Sequence, residues 1–213
     1  MIRDAATVIL ARGDAVLMGR RGAKAAFMPS KYVFPGGAVD PGDAEVPMLG
    51  LPPSEARRLS EHADPALARA LPAAAIREVW EETGQRLSAP GAWADPPEAW
   101  RGFATGGHVP DASPLSFVFR AITPPGRTRR YDARFFLADA AALTGDPDDF
   151  GGADEELSDL AWVPIREARA LDLPFVTELV IEEVAAILSG RPQPGVPFVR
   201  NEDDGASVVR LGS

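Results

Sequence analysis

Residues 73–84, AAAIREVWEETG, place Glu78, Glu81 and Glu82 in a stretch whose remaining pattern is helical. At about 100° per residue, the three glutamates fall within an arc of roughly 100°. Ile76, Val79, Trp80 and Thr83 fall on the opposite side. The segment therefore reads as an amphipathic helix with one face for a core and one acidic face. Pro72 suits its first turn, and Gly84 suits a left-handed stop just past its end. Glu78 and Glu82 stand at i,i+4, where like charges oppose helix formation. At ~6 Å such a pair costs about 0.7 kcal/mol in water and about 3 kcal/mol at an effective dielectric near 20. Two readings are open at this point. One is a solvated face with an Arg77–Glu81 pair. The other is a cation-binding face, since clustered carboxylates suit hard, oxygen-seeking ions.

Composition narrows the chemistry. The chain has 213 residues, 46% of them hydrophobic, enough for one sizeable core or one core with an insertion. It has no cysteine, which removes disulfides, thiol nucleophiles and thiolate zinc sites. Its two histidines, His62 and His108, are far apart, so imidazole metal sites and His-dependent triads are poor candidates. Oxygen ligands remain. A formal charge of −9 argues against an extended nucleic-acid interface. The opening MIRDAATVILARGDAVLMGRRG has a short apolar run broken at Arg12-Gly13-Asp14, unlike a signal peptide. No apolar run approaches the ~18 residues of a membrane span, and the cytoplasm is the default expectation.

Along the chain, 5–11 and 15–20 read as strands joined by a Gly13-Asp14 turn, and 32–40 as a strand entering a glycine turn. Residues 44–71 are rich in Ala, Pro and charge, with a short helix over 54–63 capped by Ser54. A short helix is expected near 97–104. Residues 114–123, 131–139 and 156–165 read as strands, and 164–170 as one or two helical turns. Residues 174–190 form an amphipathic helix ending at Gly190, and 191–213 a loosely held tail. Mixed strands with two substantial helices point to an α/β or α+β sandwich.

Upstream of the acidic helix lies FPGGAVDPGD, Phe34 to Asp43. Two glycines after a strand allow a tight backbone turn and an exposed carbonyl. Taken with REVWEETG, this resembles the Nudix box, G-x5-E-x7-R-E-U-x-E-E-x-G-U with U a bulky apolar residue. Gly37, Arg77, Glu78, Val79, Glu81, Glu82 and Gly84 match it position by position. Asp43 stands where the family has Glu, and Gln85 stands at the last apolar position. Between Asp43 and Arg77 lie 33 residues, 44–76, where the pattern has 7. Such an interrupted box, with FMPSKYVFPGG ahead of it, is similar to a subgroup that includes the mammalian peroxisomal acyl-CoA diphosphatase. A long insertion is thermodynamically cheap, since each doubling of loop length costs only about 0.6 kcal/mol.

The resemblance implies a Nudix fold: a mixed sheet sandwiched between helices, one domain over 1–190, with 44–71 as a helical insertion outside the sheet. It implies metal-dependent hydrolysis of a nucleoside diphosphate linked to another moiety, with coenzyme A-like or dinucleotide substrates expected. Mg²⁺ or Mn²⁺ would be held by Glu78, Glu81 and Glu82, with the carbonyl of Gly36 or Gly37 adding an oxygen. The same glutamates are the catalytic candidates, and Arg77 would orient them. Many family members add an acid from a later loop; Glu156 is the choice here, with Glu155 close behind. Dimers are common in the family, so a homodimer is among the expected arrangements. The alternative is a Nudix-fold ligand-binding or regulatory module without turnover.

Arginines at 127, 129, 130 and 134 cluster on the loop and strand GRTRRYDARF. They read either as a solvated hairpin tip or as a phosphate clamp, because Arg recognises phosphate bidentately. Arg129, Arg130 and Arg134, with Arg20 at the end of the second strand, are the substrate-binding candidates.

Overall fold

The structure, a computed structural model, describes residues 1–202 and 205–212. Its strands and helices follow in this order: β1 (Ile2–Arg12), β2 (Ala15–Arg21), β3 (Tyr32–Val33), β4 (Gly36–Ala38), α1 (Pro53–Ser60), α2 (Leu67–Thr83), β5 (Ser88–Pro90), α3 (Arg101–Ala104), β6 (His108–Pro110), β7 (Ser116–Ile122), β8 (Arg130–Asp139), β9 (Leu157–Pro164), α4 (Ile165–Ala168), α5 (Phe175–Leu188), β10 (Val196–Glu202) and β11 (Gly205–Leu211).

β1 organises the sheet. It runs parallel to β8 in unbroken register from Ile2 opposite Arg130 to Ala11 opposite Asp139. Its other edge is divided: β4 takes Ala5–Thr7, and β2 takes Ala11 and Arg12. The sheet order is β11-β10-β7-β8-β1-β2-β3, with β9 also paired to β2. A central strand flanked by a parallel neighbour is buried on both faces, which is why β1 reads as the near-continuous apolar run AATVILA. Ala6, Val8 and Leu10 pack with Ile76 and Val79 of α2. Ile9 and Ala11 pack with Val180 and Val184 of α5. The fold is thus a mixed sheet between helices, as the pattern of elements implies.

The insertion is helical and lies outside the large sheet, with an isolated bridge from Leu49 to Asp111, just past β6. It is nonetheless part of the core. Val46, Leu59 and Leu71 are at most 2% exposed and join the α2-side cluster. The Glu55 carboxylate accepts from the Phe117 N–H at 2.7 Å, and Arg120 donates to the carbonyls of Glu61 and His62, each at 3.1 Å. Ser54 does not cap α1. Pro52 holds the cap position, and the Ser54 hydroxyl turns to Glu55. α2 begins at Leu67, not after Pro72, which lies inside it. The ring removes one ladder donor, and the burial of Ala70, Leu71 and Ala73 beside it offsets that loss.

Residues beyond 190 correct the expectation of a loose tail. β10 pairs in parallel with β7, and β11 pairs antiparallel with β10. Val196, Phe198 and Leu211 are buried in the α2-side core. The Pro/Gly-rich composition of 191–195 concealed a short alternation, Val196 and Phe198 inward, that marks a strand. The hairpin-like pair β5–β6 was likewise hidden in a Pro/Gly-rich region. No helix among the described residues is long and apolar enough to cross a membrane.

Because the insertion contributes buried side chains, Leu59→Ala is expected to destabilise the protein by about 2–5 kcal/mol, the usual range for a fully buried leucine. Urea unfolding monitored by circular dichroism measures this. A loss below about 1 kcal/mol would mean the insertion packs as a detachable accessory.

Candidate active site

The acidic helix and the glycine turn meet through one side chain. Arg77, 6% exposed, donates from Nε and Nη2 to the two oxygens of Asp43, each at 3.1 Å. Nη2 also donates to the Ala38 carbonyl at 3.0 Å. Nη1 donates to Glu78 Oε1 at 2.8 Å and Glu81 Oε2 at 3.0 Å. Asp43 is itself buried and accepts from the Asp40 N–H, closing the turn that leads into the insertion. The aspartate standing where the box has glutamate therefore still reaches Arg77, although 33 residues intervene.

Glycine is needed at both turn positions because the backbone approaches too closely for a side chain. A Cβ on Gly36 would lie 2.5 Å from Thr7 Oγ1, and one on Gly37 would collide with the Glu78 carboxylate. The Gly36 N–H donates to Glu82 Oε2 at 2.8 Å. Glu82 Oε1 is buried with no hydrogen-bond partner among the described residues.

The acidic face of α2 is thus largely covered. Burial pushes Glu78 up to about 7, against the pull of Arg77 and with the help of Glu81 and Glu156. Burial pushes Glu82 well above the ordinary range, Glu78 adds to this, and the Gly36 N–H opposes it. Glu81, less covered, is raised by burial and held back by Arg77. Glu156, at the entry to β9, accepts from Arg21 Nη2 at 2.7 Å, and its charge is felt by both Glu78 and Glu82. Glu155 is exposed and has no such contact among the described residues.

The comparisons agree with this geometry. No protein-family model matches the sequence, and no curated protein does. A Nudix hydrolase from Alicyclobacillus acidocaldarius matches with 28% identity over 87% of this chain and 92% of its own, at a TM-score of 0.68. A MutT protein from Methanosarcina mazei matches at 16% identity over 85% and 91%, with a TM-score of 0.51. A mutator MutT protein from Bacillus halodurans matches at 16% identity over 99% and 98%, with a TM-score of 0.50. The chain has the fold of a Nudix hydrolase. The glutamates that match the box lie together on α2.

Other parts of the Nudix box find physical reasons here. Gln85 is buried, and its amide donates to the carbonyls of Asp146 (3.2 Å) and Asp149 (2.7 Å). The polar residue at an apolar box position thus pins the 144–154 loop beside the helix. Gly84 is left-handed, φ 72°, and closes α2.

The arginine assignments change. Arg134 is 1% exposed and locked between Asp4 (2.5 Å) and Asp132 (3.3 Å), so it is a structural cation and not a phosphate ligand. Arg130 is half committed, donating to the carbonyls of Thr123 and Asn201. Arg129 is exposed. Arg20 donates to the Ser30 carbonyl, whereas Arg21 meets Glu156 and lowers the proton affinity of Glu82. Strand alternation separates the two neighbours. A reading of β2 by its pairing would have chosen Arg21.

Among the described residues, no three or more Asp, Glu or His side chains are arranged to hold a cation. The donor set nonetheless fits a divalent ion. Glu82 Oε1 is a buried oxygen lacking a partner among the described residues, and the raised Glu78 carboxyl lies on the same helix, against a turn that admits only glycine. Oxygen donors of this kind suit Mg²⁺ or Mn²⁺.

The raised carboxyl groups give a signed pH dependence. Glu78 binds its proton more tightly folded (about 7) than unfolded (4.5), and Glu82 shifts the same way. The Glu78 contribution to stability is complete below about pH 4.5 and is lost as pH rises through about 7. In a chelator, the urea midpoint is therefore expected to fall between pH 5 and 7.5, and Glu78→Gln to flatten that fall. A variant as pH-dependent as the wild type would contradict this assignment.

Proposed function

We propose that the chain hydrolyses the diphosphate linkage of a nucleoside diphosphate joined to another moiety, coenzyme A-like and dinucleotide compounds being the substrate classes to try first. Glu78 and Glu82 would be the principal ligands of Mg²⁺ or Mn²⁺, with Glu81, Glu156 and the Gly37 carbonyl as further oxygens. A bound divalent cation makes water more acidic and neutralises diphosphate oxygens. The observation that carries the reading is the partnerless, buried Glu82 Oε1.

The protein's own groups would divide the work by their surroundings. Glu82 is fixed by the Gly36 N–H, so its second oxygen is held in one direction. Glu78 is fixed by Arg77 and by the glycine surface beneath it. Glu81 has a 31% exposed side chain and is the best placed of the three to exchange a proton with solvent or substrate. Arg77 supplies charge-assisted hydrogen bonds that keep two carboxylates aligned. Arg21 fixes Glu156 at the mouth of β9.

The test is incubation with Mg²⁺ or Mn²⁺ and a panel of diphosphates, with products identified by mass. Glu82→Gln is expected to lose at least ~100-fold in turnover, the scale of removing a preorganised catalytic group. In a chelator it should melt no lower than the wild type, because the change removes a buried ionisable group. Near-normal turnover in this variant would overturn the assignment.

A further inference from the structure

Where β1 and β8 begin, a surface pocket of ≈ 280 Å³ is lined by Met1, Arg3, Thr128, Arg129, Arg130 and Tyr131. The register explains the concentration of charge: Arg3 lies opposite Tyr131, and Ile2 opposite Arg130. The acids nearest in register, Asp4 and Asp132, are already engaged. Asp4 holds Arg134, and Asp132 holds both Arg134 and Arg120. Neither Arg3 nor Arg129 makes a hydrogen bond or ion pair among the described residues, and Arg130 spends Nε and Nη2 on backbone carbonyls. In a chain of net charge −9, three guanidinium groups around one concavity, two of them uncompensated, repel one another without a return from the protein itself.

We propose that this pocket is a binding site for a phosphate dianion, either free or as the monoester group of a nucleotide. Arginine suits such a group because its planar fork meets two phosphate oxygens at once. Tyr131 forms one wall and is itself braced edge-to-face by Phe27, with ring centroids 5.2 Å apart. This gives the phosphate's organic substituent an aromatic surface to lie against. The site is separate from the acidic cluster. Arg3 is three residues from Ala6, the partner of Gly37, so it stands about 10 Å along the strand and on the opposite face of the sheet. None of its residues belongs to α2 or to the glycine turn, so the proposal stands or falls independently of hydrolysis.

Calorimetric titration of the full chain in a chelator, at low salt, tests this with inorganic phosphate and adenosine 3′-monophosphate as probes. The wild type is expected to bind, with affinity falling as salt is added. Arg3→Gln and Arg129→Gln should each weaken binding roughly ten- to a hundredfold, the scale of one charge-assisted contact. Glu82→Gln should leave it unchanged. Equal affinity for the two probes identifies the free ion as sufficient; tighter binding of the nucleotide, lost in Tyr131→Ala, identifies a monoester. Absence of binding by either probe at millimolar concentration overturns the proposal. So does binding unaltered in both arginine variants, or binding that disappears in Glu82→Gln, which would place the anion at the acidic cluster.

Discussion

The site depends on the burial of one guanidinium. Arg77 is covered on α2, yet five donors must be satisfied, and no single partner can do that. It therefore recruits Asp43 and Ala38 from the turn and Glu78 and Glu81 from its own helix. Arginine is always charged, so it attracts the acids around it wherever they are ionised. Breaking such a set by removing one member leaves a buried charge uncompensated, which is far costlier than the net worth of the pair. The position of the acidic helix relative to the glycine turn is thereby fixed by charge as well as by packing.

This explains how a long insertion leaves the site in register. The chain departs after Asp43 and returns in α2, so its two ends are clamped together by the bidentate Asp43–Arg77 pair. Entropy of closure rises only slowly with the length between those points. What the added residues must do is satisfy their own backbone and cover apolar surface. They do both: Leu59 and Val46 enter the core, Glu55 caps the free Phe117 N–H, and Arg120 takes the carbonyls at the end of α1. The insertion is integrated into the fold because its helices replace solvent over the α2 side of the sheet.

The sequence made some of this legible and concealed the rest for identifiable reasons. The doubly buried β1, the Gly13 turn, the amphipathic α5 and the glutamates on one face of α2 all follow from periodicity, which is local. The strands of 196–211 were hidden because Pro and Gly just before them dominate the composition, while their partner, β7, lies far away in sequence. Arg20 and Arg21 differ in role through strand alternation in β2, and that face is defined only once β9 is paired alongside. Arg134 looked like a surface cation beside Arg129. It is buried because β8 is a central strand, a property of sheet order that no window of sequence contains. The motif's glutamates share one helix because their spacing is local, whereas Arg21 reaches Glu156 through a tertiary pairing that no motif marks.

The electrostatic balance of the acidic cluster completes the physical account. Six carboxyl groups, Asp40, Asp43, Glu78, Glu81, Glu82 and Glu156, meet two guanidinium groups, Arg77 and Arg21. Asp43 is neutralised by a bidentate pair and Glu156 by Arg21, which leaves Glu78 and Glu81 sharing what remains of Arg77 while Glu82 accepts from the Gly36 N–H. Such an excess can be relieved by taking up protons or by accepting a cation, and both act on the same oxygens. Protonation relieves it at the expense of the negative charge that makes those oxygens ligands. A divalent ion relieves it while keeping that charge, and more effectively where water is excluded, as it is around Glu82. Repulsion within α2, unfavourable for an isolated helix, is then the property that would favour a compact, multiply charged partner at the proposed site.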